Sequence, residues 1–546
     1  MTSRIARAAA AGAALAVSAA ALSACSPGAE TTPDDVITIF IPQGGDGKLD
    51  DNGFTKVLEE NFDVDLKFET TTYDGAAAGE KRQVSLASGD YPDAYMLIPW
   101  VDQFSNEELV KLGSQGVILP LDDLIGEDTP NITAAFEKEP DFKTMATASD
   151  GTIWGLPQWN DCFHCSYPAK LWMNSAWLKT LGLEQPGTPE ELRTVLEAFK
   201  TQDPNGNGKA DEIPLSGDVG SSVLPYLMNP FLYTASGNAE GAYPHSLGAQ
   251  GDDVVLQPTQ DEWRKAISYV ASLYQDGLID EAAFTQNGEA LSAKGNNADA
   301  VVLGSVAVMH PGFVRADNPD GRYTQYDAVP PLTGPGGDHT FFSGDGSAGG
   351  AAFVITNRAS EAKQRTLMQI IDFMFSYEGH MQGEYGVEGV NWTRPEEGDV
   401  ALDETLEPLF KTLRPAEGEG VNNAWGAVAQ FFSDAEFRER QVYSTELYKP
   451  EGYERRLFEA TKLYEGHESD DAFPYWDVSV TGDTARELGT IQTNVEGFVV
   501  RTAAEFVTGV RDIESDEAWA EFQRNLADLG AERYVEIYQE AWDDSK

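Results

Sequence analysis

The chain alternates between short unbroken apolar runs and stretches whose apolar residues fall three or four apart. "VITIFIP" (36–42) is a β-branched run of the kind carried by a buried parallel strand. In "DNGFTKVLEENF" (51–62) Phe54, Leu58 and Phe62 share one helical face, and in "FDVDLKFE" (62–69) Phe62, Val64, Leu66 and Phe68 alternate. Strand, helix and strand within about thirty residues read as a βαβ unit. "AGEKRQVSLASGDYPDAYML" repeats the theme, with a helix, a turn at Gly89-Asp90-Tyr91-Pro92 and an apolar strand. "TPEELRTVLEAF" (188–199) carries a helix start: Thr188 as N-cap, Pro189 at the first helical position, Glu191 three past the cap, then Leu192, Val195, Leu196 and Phe199 on one face. "GGAAFVITNRASEAKQRTLMQIIDFMFSYEG" predicts another strand and helix, and "AWAEFQRNLADLGAERYVEIYQEAW" a helix-rich C-terminus. The pattern is that of an α/β protein.

At 546 residues the chain exceeds a single core, so two or three lobes are expected at about 150 residues per domain. With 41% hydrophobic and 10% aromatic residues, it is globular rather than disordered. Pro and Gly gather in "PPLTGPGGD" (330–338), which suits a crossover between lobes.

The N-terminus changes the picture. Arg4 and Arg7 precede an Ala-rich apolar stretch ending in Leu22-Ser23-Ala24-Cys25, which reads as an export signal over 1–24. Its end resembles the bacterial lipobox, in which the Cys is acylated and becomes the mature N-terminus. Residues 25–35 are polar and Pro-containing, as a tether is. The formal charge of −52 becomes more negative once the signal arginines leave, and such a field repels nucleic acid, anionic lipid and polyanionic ligands. With Cys25 lipidated, Cys162 and Cys165 remain in "CFHC", and outside the cell a close thiol pair oxidises to a disulfide. His164 adds a third potential metal ligand, but no second Cys/His cluster completes a tetrahedral site.

Two groups of residues carry candidate chemistry. "DPNGNGKADEIP" (203–214) follows EF-hand spacing: Asp203, Asn205, Asn207, the Lys209 carbonyl and Asp211 at positions one to nine, with Gly208 at six. Position twelve is Pro214, and Glu212 is the carboxylate at hand. The run is either an Asx-rich turn or a structural Ca²⁺ site, and the spacing favours the ion. The second group is aromatic. Trp100, Trp159 with Asn160, Trp392, Trp425, Tyr475 and Trp476 stand beside Gly, Pro, Asn or Asp in expected loops, where rings stack on sugar C–H faces and amides bond hydroxyls. Local packing is the competing reading for each, and Trp154 and Trp172 read as core. No G-x-S-x-G elbow in a strand-to-helix setting and no H-E-x-x-H is present.

Together, the lipobox, "ASGDYPD", "LWMNSAWLKTLGLEQPGTPEEL", "DPNGNGKADEIPLSG", "SYEGHMQGEYGVEGVNW", "AEFVTGV" and "LADLGAERYVEIYQEAW" resemble the lipoprotein-type solute-binding proteins of ABC importers, in the branch with LplA-like and alginate-oligosaccharide-binding members. The resemblance spans nearly the whole chain. It implies a periplasmic-binding-protein type II fold, two α/β lobes joined by hinge crossovers, with 36–165 and 331–400 in lobe 1 and 166–330 and 401–546 in lobe 2. It also implies calcium in the 203–212 loop and a monomer on the outer face of the membrane that delivers an oligosaccharide or glycoside to permease subunits. "WNDCFHCSYPAKLW" corresponds to the first crossover and "VPPLTGPGGD" to the second. The alternatives are an anchored lyase or glycosidase, or a receptor for a non-sugar solute. Two features depart from the family pattern: Asn174-Ser175-Ala176 stands where a basic residue followed by Asp is usual, and the "CFHC" insert is extra.

Overall fold

The computed structural model describes residues 33–44, 47–148, 150–219, 223–235, 246–343, 350–413, 422–475, 478, 480 and 482–546. The 1–24 signal, Cys25 and Trp476 lie outside them.

The first lobe is built on four strands in the order Phe353–Ile355, Ala94–Met96, Val36–Pro42, Asp65–Thr71. The last three run parallel, Val36 opposite Asp65 and Ile39 opposite Ala94, and Phe353–Ile355 returns antiparallel. The first βαβ unit forms because the intervening helix, Gly53–Phe62, is started by Asn52, whose side chain accepts from the Phe54 amide at 2.8 Å. It ends at Asp63 in the left-handed conformation (φ 52°), so Phe62 closes the helix and the strand begins at Asp65. Phe54 and Leu58 then pack with Ile37, Ile39, Ile41, Ile370 and Met374 in one core.

The second lobe has four strands in the order Tyr326–Val329, Leu171–Asn174, Leu303–Ala307, Ile213–Ser216. Ile213–Ser216 and Leu303–Ala307 are parallel, and Leu171–Asn174 is antiparallel to both neighbours. The Thr188 hydroxyl accepts from the Glu191 amide at 3.2 Å and starts helix Pro189–Thr201, whose Leu192, Leu196 and Phe199 are buried. The C-terminal helices Gly482–Val507, Asp516–Asp528 and Ala531–Ser545 complete this core through Phe506, Phe522 and Tyr534. Among the described residues no helix is long and apolar enough to cross a membrane.

The structure revises two boundaries. Leu332 and Phe341 pack in second-lobe clusters, and the Gly336 amide donates to Pro230 O at 2.8 Å, so the Pro/Gly run 330–338 stays on the second lobe. Among the described residues, the chain is back on the first lobe at Ala351, whose amide bonds Phe104 O. Conversely, Trp425, Val428, Ala429 and Phe431 belong to the first core. Strand Phe432–Ser433 pairs with Trp159–Asn160, so the 422–433 segment sits with the first lobe rather than the second. A small sheet of Trp392–Thr393, Phe410–Thr412 and Gln441–Val442 follows the same side. The chain then crosses a third time: in helix Tyr453–Thr461, Leu457 and Ala460 pack with Trp172 and Tyr326, and Arg456 donates to Tyr323 O.

Candidate binding cleft and cation loop

The crossovers enclose a cavity of about 200 Å³. The first crossover supplies Asp161, Phe163 and His164 to its wall, the first-lobe side Glu384 and Tyr385, the return segment Arg438, Glu439 and Tyr443, and the third crossing Glu454 and Phe458.

Local structure explains why these groups converge. Strand Trp159–Asn160 is held to the first lobe by Trp159 N–H to Phe431 O at 2.9 Å. The chain then turns into one helical turn, Phe163–Ser166, closed by a Cys162–Cys165 disulfide with Cα atoms 5.1 Å apart. Below the turn Lys170 is fully buried, donating from Nζ to His164 O at 2.9 Å and to Tyr167 O. Burial brings its ammonium down to about 7.

The electrostatics favour uncharged recognition groups. His164 Nδ1 lies 3.4 Å from Glu454 Oε2, yet burial, with Arg438, Lys170 and His310 nearby, pushes its imidazole down to about 3. Burial also raises the Glu454 carboxyl against the opposing pull of Arg438. Glu439 is raised by burial and by Asp403 and Asp161, and burial holds the Tyr385 and Tyr443 hydroxyls above their ordinary value. Arg438 donates from Nη1 to Asn160 Oδ1 at 2.9 Å. Beside the Arg438 guanidinium the wall therefore offers aromatic faces, a neutral imidazole, phenols and carboxyls with raised pKa, a set that matches a polyhydroxylated ligand.

Three of the tryptophans expected in the site are buried and do not line this cavity. Trp159, Trp392 and Trp425 are 3%, 4% and 5% exposed. Each indole N–H finds a partner inside the protein: Trp159 donates to Asp161 Oδ2 (3.0 Å), Trp392 to Gly386 O (2.9 Å) and Trp425 to Thr55 Oγ1 (2.9 Å). Trp425 also meets Phe54 and Phe68 edge-on, with centroids 5.4 and 5.7 Å away. Their flanking loop residues signal exposure, yet each ring is buried and its polar handle is satisfied at once. Tyr475 is half-buried against the second core, Trp172 is core as expected, and Trp154 is partly buried with Nε1 donating to Asp150. Trp100 is 60% exposed beyond the end of strand Ala94–Met96, at the carboxyl edge of the parallel strands where ligands of open α/β sheets bind. Tyr73 is exposed beyond Asp65–Thr71 on the same edge. Phe163, Arg438, Tyr443, Glu454 and Phe458 escaped sequence reasoning, and His164 entered it only as a metal ligand. The one available signal was "CFHC", read for its sulfurs and for that ligand.

The second site is the loop after helix Pro189–Thr201. Asp203 is left-handed (φ 47°), and Gly206 and Gly208 have φ of 71° and 72°, which curls the backbone inward. Asp203 accepts from the Asn207 and Gly208 amides at 3.0 Å each, and Asp211 accepts from the Asn205 and Asn207 side chains at 3.0 Å. These amide contacts pull Asp211 below its usual value. Glu212 is raised by burial and by Asp211 and Asp203, and its Oε1 is buried with no hydrogen-bond partner. A buried carboxylate oxygen without a donor, beside two further carboxylates, is the chemistry of a hard-cation site. The six predicted donors fit a Ca²⁺ ion.

Residues 46–381 match the family described as bacterial extracellular solute-binding protein. The chain is 27% identical over 475 residues, covering 85% of itself and 82% of the relative, to the fructooligosaccharide ABC transporter substrate-binding protein FusA of Streptococcus pneumoniae. The solved FusA complex with kestose superposes with a TM-score of 0.71 at 25% identity, covering 93% of this chain and 99% of that one. A FusA EF-hand mutant in complex with fructo-nystose superposes with the same score at 24% identity over the same shares.

Proposed function

The chain belongs to the bacterial extracellular solute-binding proteins, and from that premise we propose that it is the receptor of an ABC importer, capturing a neutral oligosaccharide between its lobes and passing it to permease subunits without turning it over. The observation that carries this reading is the cavity at the crossovers, where Phe163, Tyr443 and Phe458 supply ring faces and His164 and Glu454 supply hydroxyl partners. Its position between the lobes couples ligand contact to closure, because a ligand touching both lobes binds the closed form better. The fructooligosaccharide named for FusA supports an oligosaccharide ligand, and the −52 charge disfavours an anionic one. Trp100 at the sheet edge and Asn160 beside Arg438 extend the binding surface.

In this reading Cys25 carries the lipid, and the mature protein is a monomer on the outer face of the membrane, tethered by 25–35. Asp203, Asn205, Asn207, the Lys209 carbonyl, Asp211 and Glu212 hold a structural Ca²⁺, which ties helix Pro189–Thr201 to strand Ile213–Ser216.

The deciding experiment is calorimetry across a panel of neutral oligosaccharides with product analysis on the same samples. Binding with no new reducing ends supports the receptor. New reducing ends, or affinity confined to peptides or polyanions, would falsify it.

A further inference from the structure

The "CFHC" turn has a geometry its sulfurs alone do not explain. A disulfide between residues three apart closes a very short ring, and such a ring removes far less chain entropy than a long one, so its main consequence is local. Around it the backbone is already tied down. The Cys165 and Ser166 amides both donate to Cys162 O, at 2.8 and 3.0 Å, and the Ser343 amide from the second crossover donates to Ser166 O at 2.9 Å. Lys170, fully buried, gathers the His164 and Tyr167 carbonyls from beneath. The turn is thus a fixed block at the point where two crossovers meet. The two side chains inside the ring, Phe163 and His164, both face the cavity.

Phe163 packs its ring 5.1 Å from Phe458 and 5.8 Å from Tyr167, a braced aromatic face that needs no reordering when a sugar ring stacks on it. His164 stands between Cys162 Sγ (3.5 Å from Nε2) and Glu454 Oε2 (3.4 Å from Nδ1). Nε2 faces the disulfide sulfur, so a hydroxyl is read where Nδ1 meets Glu454, the imidazole and the carboxyl each offering it a partner.

We propose that the disulfide-closed turn Cys162–Cys165 is the specificity element of the cleft: Phe163 is the stacking platform for a sugar ring, His164 with Glu454 reads its hydroxyls, and the disulfide fixes the direction of both. The inference rests on the oligosaccharide reading above. It accounts for an insert that departs from the family pattern, and it makes the site redox-responsive. A small dithiol that delivers two electrons and two protons to the Cys162–Cys165 bond leaves two thiols and its own disulfide, and frees the turn.

The test titrates the full mature chain with a panel of neutral oligosaccharides that includes pairs differing in one hydroxyl. Phe163→Ala lowers affinity across the panel by about tenfold or more, the usual scale for a hot-spot aromatic. His164→Gln changes the rank order within the hydroxyl pairs, which a merely structural role does not do. Cys162→Ser/Cys165→Ser weakens binding with little change in melting temperature, reduction reproduces that loss in the unmutated protein, and reoxidation reverses it. Should the double variant fail to fold, the His164→Gln rank order and the reduction arm still decide. Wild-type binding with unchanged affinity and rank order in His164→Gln, Phe163→Ala and the reduced protein overturns this inference alone. A wild type that binds no neutral oligosaccharide overturns the functional reading, and this inference falls with it.

Discussion

The cation loop and the cleft are both crowded with oxygen, and they are built in opposite ways. All six proposed donors of the loop lie between Asp203 and Glu212, and the loop's shape follows from left-handed Asp203, Gly206 and Gly208 and from side-chain bonds to amides two to five residues away. The cleft draws on Asp161–His164, Glu384–Tyr385, Arg438–Tyr443 and Glu454–Phe458, which meet only because the chain crosses between lobes repeatedly. The first is a local motif that survives being read as a string. The second exists only once two cores have formed.

That contrast can be broken at several points. The largest effect is expected at the loop: saturating Ca²⁺ stabilises the fold by about 4 kcal/mol at a thousandfold excess over its Kd, so a chelator lowers the melting temperature. Asp203→Ala removes that response while leaving sugar affinity of the folded protein unchanged. An unaltered melting curve, with no metal by elemental analysis, ends the calcium reading.

Arg438→Ala acts on the other region. It strips the cation bonded to Asn160 and lining the wall beside Glu454 and His164, and is expected to cost about 2 kcal/mol of ligand affinity while the chelator response stays intact. Titration calorimetry on the two single variants and the double variant checks independence; non-additive losses would show that loop and cleft are one coupled unit.

Trp425→Phe tests the reassignment of the buried tryptophans. Thr55 Oγ1 loses its donor in a buried site, for an expected loss of about 1–2 kcal/mol in denaturant unfolding with ligand affinity preserved. A fall in affinity at constant stability would return Trp425 to the site.

A separate test lies in the pH profile. The folded His164 imidazole titrates at about 3 and the unfolded one near 6.5, so between these values the unfolded chain binds the extra proton. Its contribution to stability is complete above pH 6.5 and is lost as pH falls toward 3. His164→Gln flattens that limb of the melting-temperature profile; an identical acid limb in both proteins means the imidazole is not held neutral by burial.

The sequence by itself determined the elements and the local chemistry. The β-branched run 36–42 and the helical face of Phe54 and Leu58 show in the local hydrophobic pattern, the Thr188 cap and the oxygen spacing from Asp203 to Asp211 rest on interactions within a few residues, and the structure forms all four where the pattern says. Tertiary packing settled which aromatic rings line the cavity. Trp159, Trp392 and Trp425 stand beside turn formers, yet partners distant in sequence bury the faces of Trp159 and Trp425, and Trp392 closes over Met381 and Phe410. Phe163 and His164 look like spacers between two cysteines until the third crossing brings Glu454 and Phe458 against them. Composition cannot distinguish the two cases, because burial of a ring is fixed by which segments arrive on its other side, and that depends on contacts almost three hundred residues apart along the chain.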